Sequence, residues 1–293
     1  MQTVRNAAQR SLTGDLSALG ATYTRFVFAF PFALVYAALV FALTRTVPPV
    51  PAPAFWGWAG LAAVAQIVGT ACLLRLFQLR NFAIGTVLSK TEILLTAIFG
   101  LLFLGDRPTL LAGASIVAAT VGLVILSHDE KAGSWHASLK ALWGKPAIYG
   151  LGTGAAFAIA STGFRAASLA LPSLGFAQAA SVTLVMATLI QSVLMTLYLR
   201  LREPGQISAV LRIWKRSIVP GIAGGAASAG WFTAMTIEIA AYVRMLSLLE
   251  VVYSYAVSAF SFREKIRPRE VFGSIIVTAS ILLLLAERGG LIN

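Results

Sequence analysis

Nine long apolar runs alternate with short polar segments along the chain. Most runs contain about 20 residues, the length that a helix needs to cross the hydrocarbon core of a bilayer. A chain in lipid must satisfy its own backbone hydrogen bonds, and no strand pattern here could close a barrel, so each run is predicted to be a helix. The pattern therefore predicts an all-α polytopic membrane protein with about nine complete spans. The runs cover residues 18–44, 54–77, 82–104, 109–127, 146–170, 174–199, 216–238, 241–262 and 269–286.

The two halves of this pattern repeat each other. Residues 88–92 (Leu-Ser-Lys-Thr-Glu) recur 158 positions later as residues 246–250 (Leu-Ser-Leu-Leu-Glu). An acidic residue, Asp106 or Glu264, follows each glutamate after 14 positions. Each half nominally has five helices, and because five is odd, the second half must enter the membrane from the opposite side. We therefore predict two inverted-topology repeats, residues 1–127 and 146–287, joined by a polar loop at 128–145.

Aligning the repeats also predicts that a segment is missing. The second repeat opens with a helix near residues 146–170, whose counterpart in the first repeat would lie almost wholly upstream of Met1. The first repeat therefore appears without most of its first helix, and the expectation is that the functional protein begins further upstream. The alternative is a genuine nine-helix protein.

Composition and charge exclude several classes of protein. The chain has 293 residues, of which 58% are hydrophobic and 12% are charged, whereas a soluble domain has about 25% charged residues. The net charge of +12 comes mainly from Lys and Arg in short loops, where they act as topology signals, so no nucleic-acid partner is expected. Cys72 is the one cysteine, and the two histidines share one loop. No metal, cofactor or enzymatic nucleophile is predicted.

Two helix-loop-helix blocks carry a resemblance to a known family. They cover residues 92–113 and 250–273; each begins at a central glutamate, passes through a short acidic turn and reaches a glycine in the next helix. In these blocks the chain resembles the drug/metabolite transporter superfamily, in its ten-helix EamA-domain branch. Asp106 stands where the family has a glutamate in the turn, and Arg263 replaces the glycine of the second turn.

The resemblance implies a function and a location. It implies a secondary transporter, an exporter or exchanger of a small organic solute such as an amino acid, an amine or a metabolite, with a central cavity between the inverted repeats. Its partners would be that solute and the lipid bilayer, in a bacterial inner membrane, with a monomer as the expected state. A non-transporting membrane scaffold and an integral membrane enzyme are the alternatives.

The repeated glutamates are the first candidates for a binding or proton-coupling site. Ionisable residues within a span usually face a cavity or pathway. Residues three or four positions apart share a helix face, so Ser89 and Thr96 join Glu92, and Ser247 and Ser254 join Glu250. The alternative is that the carboxylates are structural and join helices through ion pairs or hydrogen bonds.

Other side chains could add to a pocket or anchor the helices. Amides and aromatic rings within the apolar runs could contribute hydrogen-bond donors or stacking surface to a pocket, although aromatic residues are also common in ordinary packing. These candidates are Gln66, Gln178, Gln191, Trp231, Tyr253 and Tyr255. Four arginines near helix ends are expected to reach lipid headgroups. They are Arg25, Arg75, Arg165 and Arg244.

Overall fold

The computed structural model describes residues 8–9, 11–79, 88–127, 144–249 and 268–290, and these residues form helices and connecting segments without a strand. This confirms the predicted all-α class. In chain order the helices are α1 Ala18–Val27, α2 Ala29–Thr44, α3 Pro53–Phe77, α4 Glu92–Phe99, α5 Leu110–Ser127, α6 Lys145–Leu169, α7 Phe176–Arg202, α8 Gln206–Arg212, α9 Trp214–Ile237, α10 Ala240–Leu246 and α11 Pro268–Arg288.

Several helices have the length and hydropathy of membrane spans. Within the described ranges, five stretches meet both criteria, and their bounds agree with the predicted apolar runs to within a few residues. Run length is therefore a good guide to the spans of this chain, because the bilayer sets how long an apolar helix must be. The stretches are Ala18–Thr44, Pro53–Phe77, Lys145–Leu169, Phe176–Arg202 and Val271–Arg288.

Within the described residues several predicted runs are interrupted, and two of these interruptions have a glycine beside them. Phe28 separates α1 from α2 inside the run predicted as 18–44. Gly221 of α9 packs against this junction so closely that a Cβ added there would overlap Phe28 Cβ. The second interruption follows α4, where residues Gly100–Leu104 form a π-helix that ends at the left-handed Gly105 (φ 66°). The first interruption lies at the contact between Phe28 and Gly221 of α9. The second ends at Gly105, whose left-handed backbone glycine adopts without strain.

The chain divides into two compact units that do not coincide with the predicted repeats. Unit 1 contains Met1–Phe77 and Ile159–Glu238, and unit 2 contains Gln78–Ala158 and Ile239–Asn293. Each unit thus draws chain from both predicted repeats. The predicted repeats are segments of the sequence, whereas the two units are groups of residues that pack together. The boundaries of the repeats stay a prediction.

Unit 1 is built on small residues and a few rings. Its helix α7 packs against α1, α2, α3 and α9. The rings of Phe164 and Phe232 lie 4.4 Å apart between centroids within a core rich in alanine. A Cβ added at Gly163 would lie 2.9 Å from Ala62 Cβ, so helices α6 and α3 touch almost backbone to backbone. Small residues of this kind let helices approach closely in a membrane, where burial alone does not drive association.

Unit 2 pairs the last helices of the two predicted repeats. Tyr242 in α10 accepts a hydrogen bond from the Thr109 amide at the start of α5 (3.3 Å), and its ring lies 5.7 Å from the guanidinium carbon of Arg288 at the end of α11. Near the other end of α5, a Cβ added at Gly122 would lie 3.1 Å from the carbonyl oxygen of Gly273, early in α11. Helices α5 and α11 are therefore antiparallel, the relation that inverted repeats require of this pair.

Candidate functional site

A small cavity lies inside unit 1, between α1, α2, α3, α7 and α9. Phe26, Leu184 and Phe232 are among its apolar walls. The space that a water-sized sphere can occupy is about 10 Å³, which is room for about one water molecule. The polar residues of the lining are Arg25, Gln66, Thr188, Gln191 and Ser228.

Four of the five polar lining residues lie near the middle of their helices. Gln66 lies near the middle of α3, Thr188 and Gln191 near the middle of α7, and Ser228 just past the middle of α9. In secondary transporters the sites typically lie near the bilayer midplane. The lining also mixes residues of both predicted repeats, because Arg25 and Gln66 come from the first and the other three from the second.

Two amides form the centre of this polar lining. Gln191 Nε2 donates to Gln66 Oε1 at 2.8 Å and, at 3.4 Å, to the backbone carbonyl of Ala63. Both side chains are buried, with 6% of Gln66 and 1% of Gln191 exposed. The bond holds α3 and α7 together at the cavity and fixes the direction of each amide group.

Arg25 brings a buried positive charge to the same lining. The residue is 5% exposed, its Nη1 donates to Thr70 Oγ1 at 2.8 Å, and its guanidinium carbon lies 5.3 Å from the centroid of the Phe26 ring. The prediction that Arg25 reaches the lipid headgroups is wrong, because α3, α7 and α9 enclose the cavity that it lines. A ring face next to a guanidinium stabilises the charge.

Glu92 forms a buried ion pair in unit 2. Its Oε1 lies 2.8 Å from Arg244 Nε, and the two side chains are 10% and 11% exposed. Oε1 accepts no hydrogen bond of normal geometry, so the contact is an ion pair defined by distance rather than an aligned bond. Arg244 was also predicted to be a headgroup anchor, and that prediction is wrong because its side chain turns inward to this carboxylate.

Two hydroxyl groups near the ion pair bond within their own chain segments: Thr96, predicted to share the face of Glu92, and Ser247, predicted to share the face of Glu250. Thr96 Oγ1 donates to the Glu92 carbonyl and Ser247 Oγ to the Arg244 carbonyl, both at 2.6 Å. Ser89 is buried, and a Cβ added at Gly154 of α6 would lie 2.9 Å from its carbonyl oxygen. The backbone around the ion pair is therefore tightly packed and hydrogen-bonded.

Arg165 is the third arginine whose predicted role is wrong. Its Nη1 donates to the carbonyl oxygens of Met235 and Glu238, both at 2.6 Å. These carbonyls lie at the end of α9, where a helix leaves its last carbonyls without intrahelical partners. Arg165 therefore caps α9 from α6 instead of reaching the headgroups.

The remaining predicted site residues fall into three groups. Gln178 caps the start of α7, because its Oε1 accepts from the Gly175 amide (2.6 Å) and its Nε2 donates to Thr46 Oγ1 (2.8 Å), and it does not line the cavity. Trp231 packs half-buried on the core of unit 1. Glu250, Ser254, Tyr253 and Tyr255 lie outside the described residues.

Sequence reasoning missed three of the polar lining residues. The sequence predicts a headgroup anchor at Arg25, and no repeat or helix-face pattern in it marks Thr188 or Ser228 as a candidate. One usable signal was present, since all three lie inside apolar runs, where polar side chains are costly and usually face a cavity or protein. Predicting their convergence would have required knowing which helices pack together.

Comparison with known proteins shows what parts of this chain resemble. Residues 6–128 match the model of the EamA-like transporter family, which confirms the predicted resemblance over this part of the chain. The solved crystal structure of another protein is similar over 97% of both chains, with a TM-score of 0.65 at 14% identity, which is a likeness of fold alone. No curated protein matches the chain. The apolar helices, together with this match, support a multi-pass integral membrane protein whose residues 6–128 are similar to a transporter family.

Proposed function

We propose that the protein is a secondary transporter that exports or exchanges a small organic solute, and that the cavity of unit 1 is part of its pathway. The observation that carries the proposal is the convergence of buried polar side chains at mid-helix on one cavity. Polar groups inside a span are costly and persist where they serve a pathway. A pocket with apolar walls and a few polar groups is also the usual form of a small-molecule site.

The size of the cavity fits a closed arrangement of the transporter. Room for about one water molecule is too little for an organic solute. Solute entry therefore requires the helices around the cavity to separate, as alternating access demands. The Gln66–Gln191 bond joins two of these helices across the cavity, so a solute that bonds to the amides in its place would favour that separation.

Glu92 enters the proposal as the proton-coupling carboxylate. Protonation of Glu92 would neutralise one side of its ion pair with Arg244 and weaken the contact between α4 and α10. The proton would then act on helix packing through this pair. The structural alternative uses the same pair only to hold the two helices together.

Flux into proteoliposomes tests the pathway with two matched variants. Gln191→Leu removes the cavity amide, whereas Gln178→Leu removes a buried amide of the same helix that lies outside the cavity. We expect the first variant to lower flux of a transported amino acid or metabolite at least tenfold, and the second to keep it. Because Gln178 caps the start of α7, Gln178→Leu should lose about 0.5–1.5 kcal/mol of stability for each lost hydrogen bond.

Two outcomes would count against the proposal. Equal flux in both variants would show that the cavity is not on the pathway. An absence of flux for every solute of a broad panel, with folded wild-type protein in sealed vesicles, would favour the membrane scaffold.

A further inference from the structure

We propose that the surface around the short helix α8 binds the headgroup of an anionic phospholipid. This basic surface lies on the outside of unit 1 and combines four cations with two apolar side chains. It consists of Arg200, Arg202, Arg212, Lys215, Leu211 and Trp214. The inference goes beyond the proposed function and does not depend on the cavity.

The length of α7 places the basic surface at the level of the lipid headgroups. This helix has 27 residues, which span about 40 Å at 1.5 Å per residue, whereas the hydrocarbon core of a bilayer is about 30 Å thick. The last turn of α7 therefore extends beyond the core, and it carries Arg200 and Arg202. Helix α8 follows after a short connection and packs against α7, so its own cations lie near the same level.

The inner face of α8 holds this helix in a fixed place on unit 1. Val210 is fully buried, and Ile207 packs on the core that includes Leu199 of α7 and Phe26 of α1. Ser217 Oγ, early in α9, donates to the carbonyl oxygen of Val210 at 3.3 Å. The outward residues of α8 therefore form part of a defined surface rather than of a loosely attached loop.

The outward residues place charge beside apolar surface, which matches the chemistry of a phospholipid. Arg212 at the end of α8 and Lys215 at the start of α9 are exposed. Beside them Leu211 and Trp214 are 60% and 50% exposed. Tryptophan is typical of the boundary between lipid and water. A phospholipid offers a phosphate to the cations and acyl chains to the apolar pair, whereas inorganic phosphate offers only the first.

The positive charge of the basic surface is not neutralised by the described part of the chain. Residues 200–216 contain five cations and one acid, Glu203. Arg216 pairs with Asp15, and Glu203 accepts a hydrogen bond from Ser17 Oγ. The four cations of the basic surface form no ion pair with a described acidic residue. An anionic headgroup would supply the counter-charge, and clusters of this size beside a span are typical of binding to anionic lipids.

A lipid titration of the wild-type protein tests the headgroup preference. Protein in a neutral detergent is titrated with phosphatidylglycerol or with phosphatidylcholine of the same acyl chains, and bound lipid is counted by native mass spectrometry. We expect phosphatidylglycerol to bind at least about tenfold more tightly, to lose affinity as salt is raised, and to raise the unfolding temperature. Equal binding of the two lipids would overturn the proposal, as would equal stabilisation by inorganic phosphate.

Two variants of equal charge then test the location. The double variant Arg212→Gln with Lys215→Gln removes two cations from the basic surface, and Arg107→Gln with Lys145→Gln removes two exposed cations elsewhere. One basic residue near an anionic surface strengthens binding by about fivefold. We therefore expect the first variant to bind phosphatidylglycerol about tenfold to thirtyfold more weakly and the second to bind it as the wild type does. Equal losses in both would show that only net charge matters, and would overturn the site.

Tryptophan fluorescence gives a second test of the location that leaves the cations in place. Phosphatidylglycerol brominated on its acyl chains quenches tryptophans that it touches, and comparison with Trp214→Phe isolates the signal of Trp214. We expect this signal to be quenched more strongly by the brominated phosphatidylglycerol than by brominated phosphatidylcholine at the same mole fraction. Equal quenching by the two lipids would contradict binding at the basic surface.

Discussion

Removing one partner of the buried Glu92–Arg244 pair should destabilise unit 2 strongly. The two charged atoms lie 2.8 Å apart, and about nine-tenths of each side chain is buried. Glu92→Gln would leave the guanidinium buried without its counter-charge, and such losses cost about 3–5 kcal/mol. We expect the lower end of that range, because Oε1 accepts no aligned hydrogen bond in the pair.

A double-mutant cycle separates the pair from its surroundings. Arg244→Gln should also destabilise the protein, since it leaves the carboxylate of Glu92 buried alone. The double variant Glu92→Gln with Arg244→Gln buries no charge, so it should be more stable than either single variant. The resulting coupling energy should be about 2–3 kcal/mol, within the range for residues in contact.

The free energy of unfolding in mixed detergent micelles is the measurement. The control is the same cycle on Arg216 and Asp15. Arg216 Nη1 lies 2.7 Å from Asp15 Oδ2, but the two side chains are 56% and 48% exposed. Exposed pairs contribute about 0–1 kcal/mol, so this cycle should give little coupling. The reasoning is refuted if the buried pair couples no more strongly than the exposed one.

Flux measured on the same variants separates the two roles proposed for Glu92. A double variant that regains both stability and transport shows that the pair is structural. A double variant that regains stability but does not respond to a proton gradient supports proton coupling by Glu92. The stability measurement is needed for either conclusion, because a misfolded variant also fails to transport.

Three further predictions concern packing. Gly221→Ala should cost about 1–3 kcal/mol of stability, because the added Cβ overlaps Phe28. Gly230→Ala lies in the same helix with nothing within 4 Å of an added Cβ, so it should be neutral or stabilise the protein by up to about 1 kcal/mol. Thermal unfolding compares the two variants. Arg165→Met should speed hydrogen exchange at the end of α9, and unchanged exchange would contradict the cap. Tyr242→Phe should cost about 0.5–1.5 kcal/mol for the lost bond to the α5 amide, measured by detergent unfolding.

Helix bounds were predictable from the sequence because they depend on local properties. An apolar helix must match the thickness of the bilayer, so the run predicted as 54–77 and helix α3 at Pro53–Phe77 agree closely. The interruption at Phe28 was not predictable in the same way. Phe28 packs against Gly221, which is almost two hundred residues away in the sequence, and no local sequence pattern marks that contact.

The candidate site shows where single-sequence reasoning stops. The recurrence of its segment in the second repeat indicates Glu92, but position near a helix end predicts a headgroup anchor for its partner Arg244, and equally for Arg25 and Arg165. A long cationic side chain near a helix end reaches water only if the neighbouring helices leave a path. In this protein the neighbouring helices instead provide polar partners: Arg244 meets the Glu92 carboxylate, Arg25 the Thr70 hydroxyl, and Arg165 two carbonyls at the end of α9. The sequence thus locates charges in the membrane, while the packing of the helices decides what each charge binds.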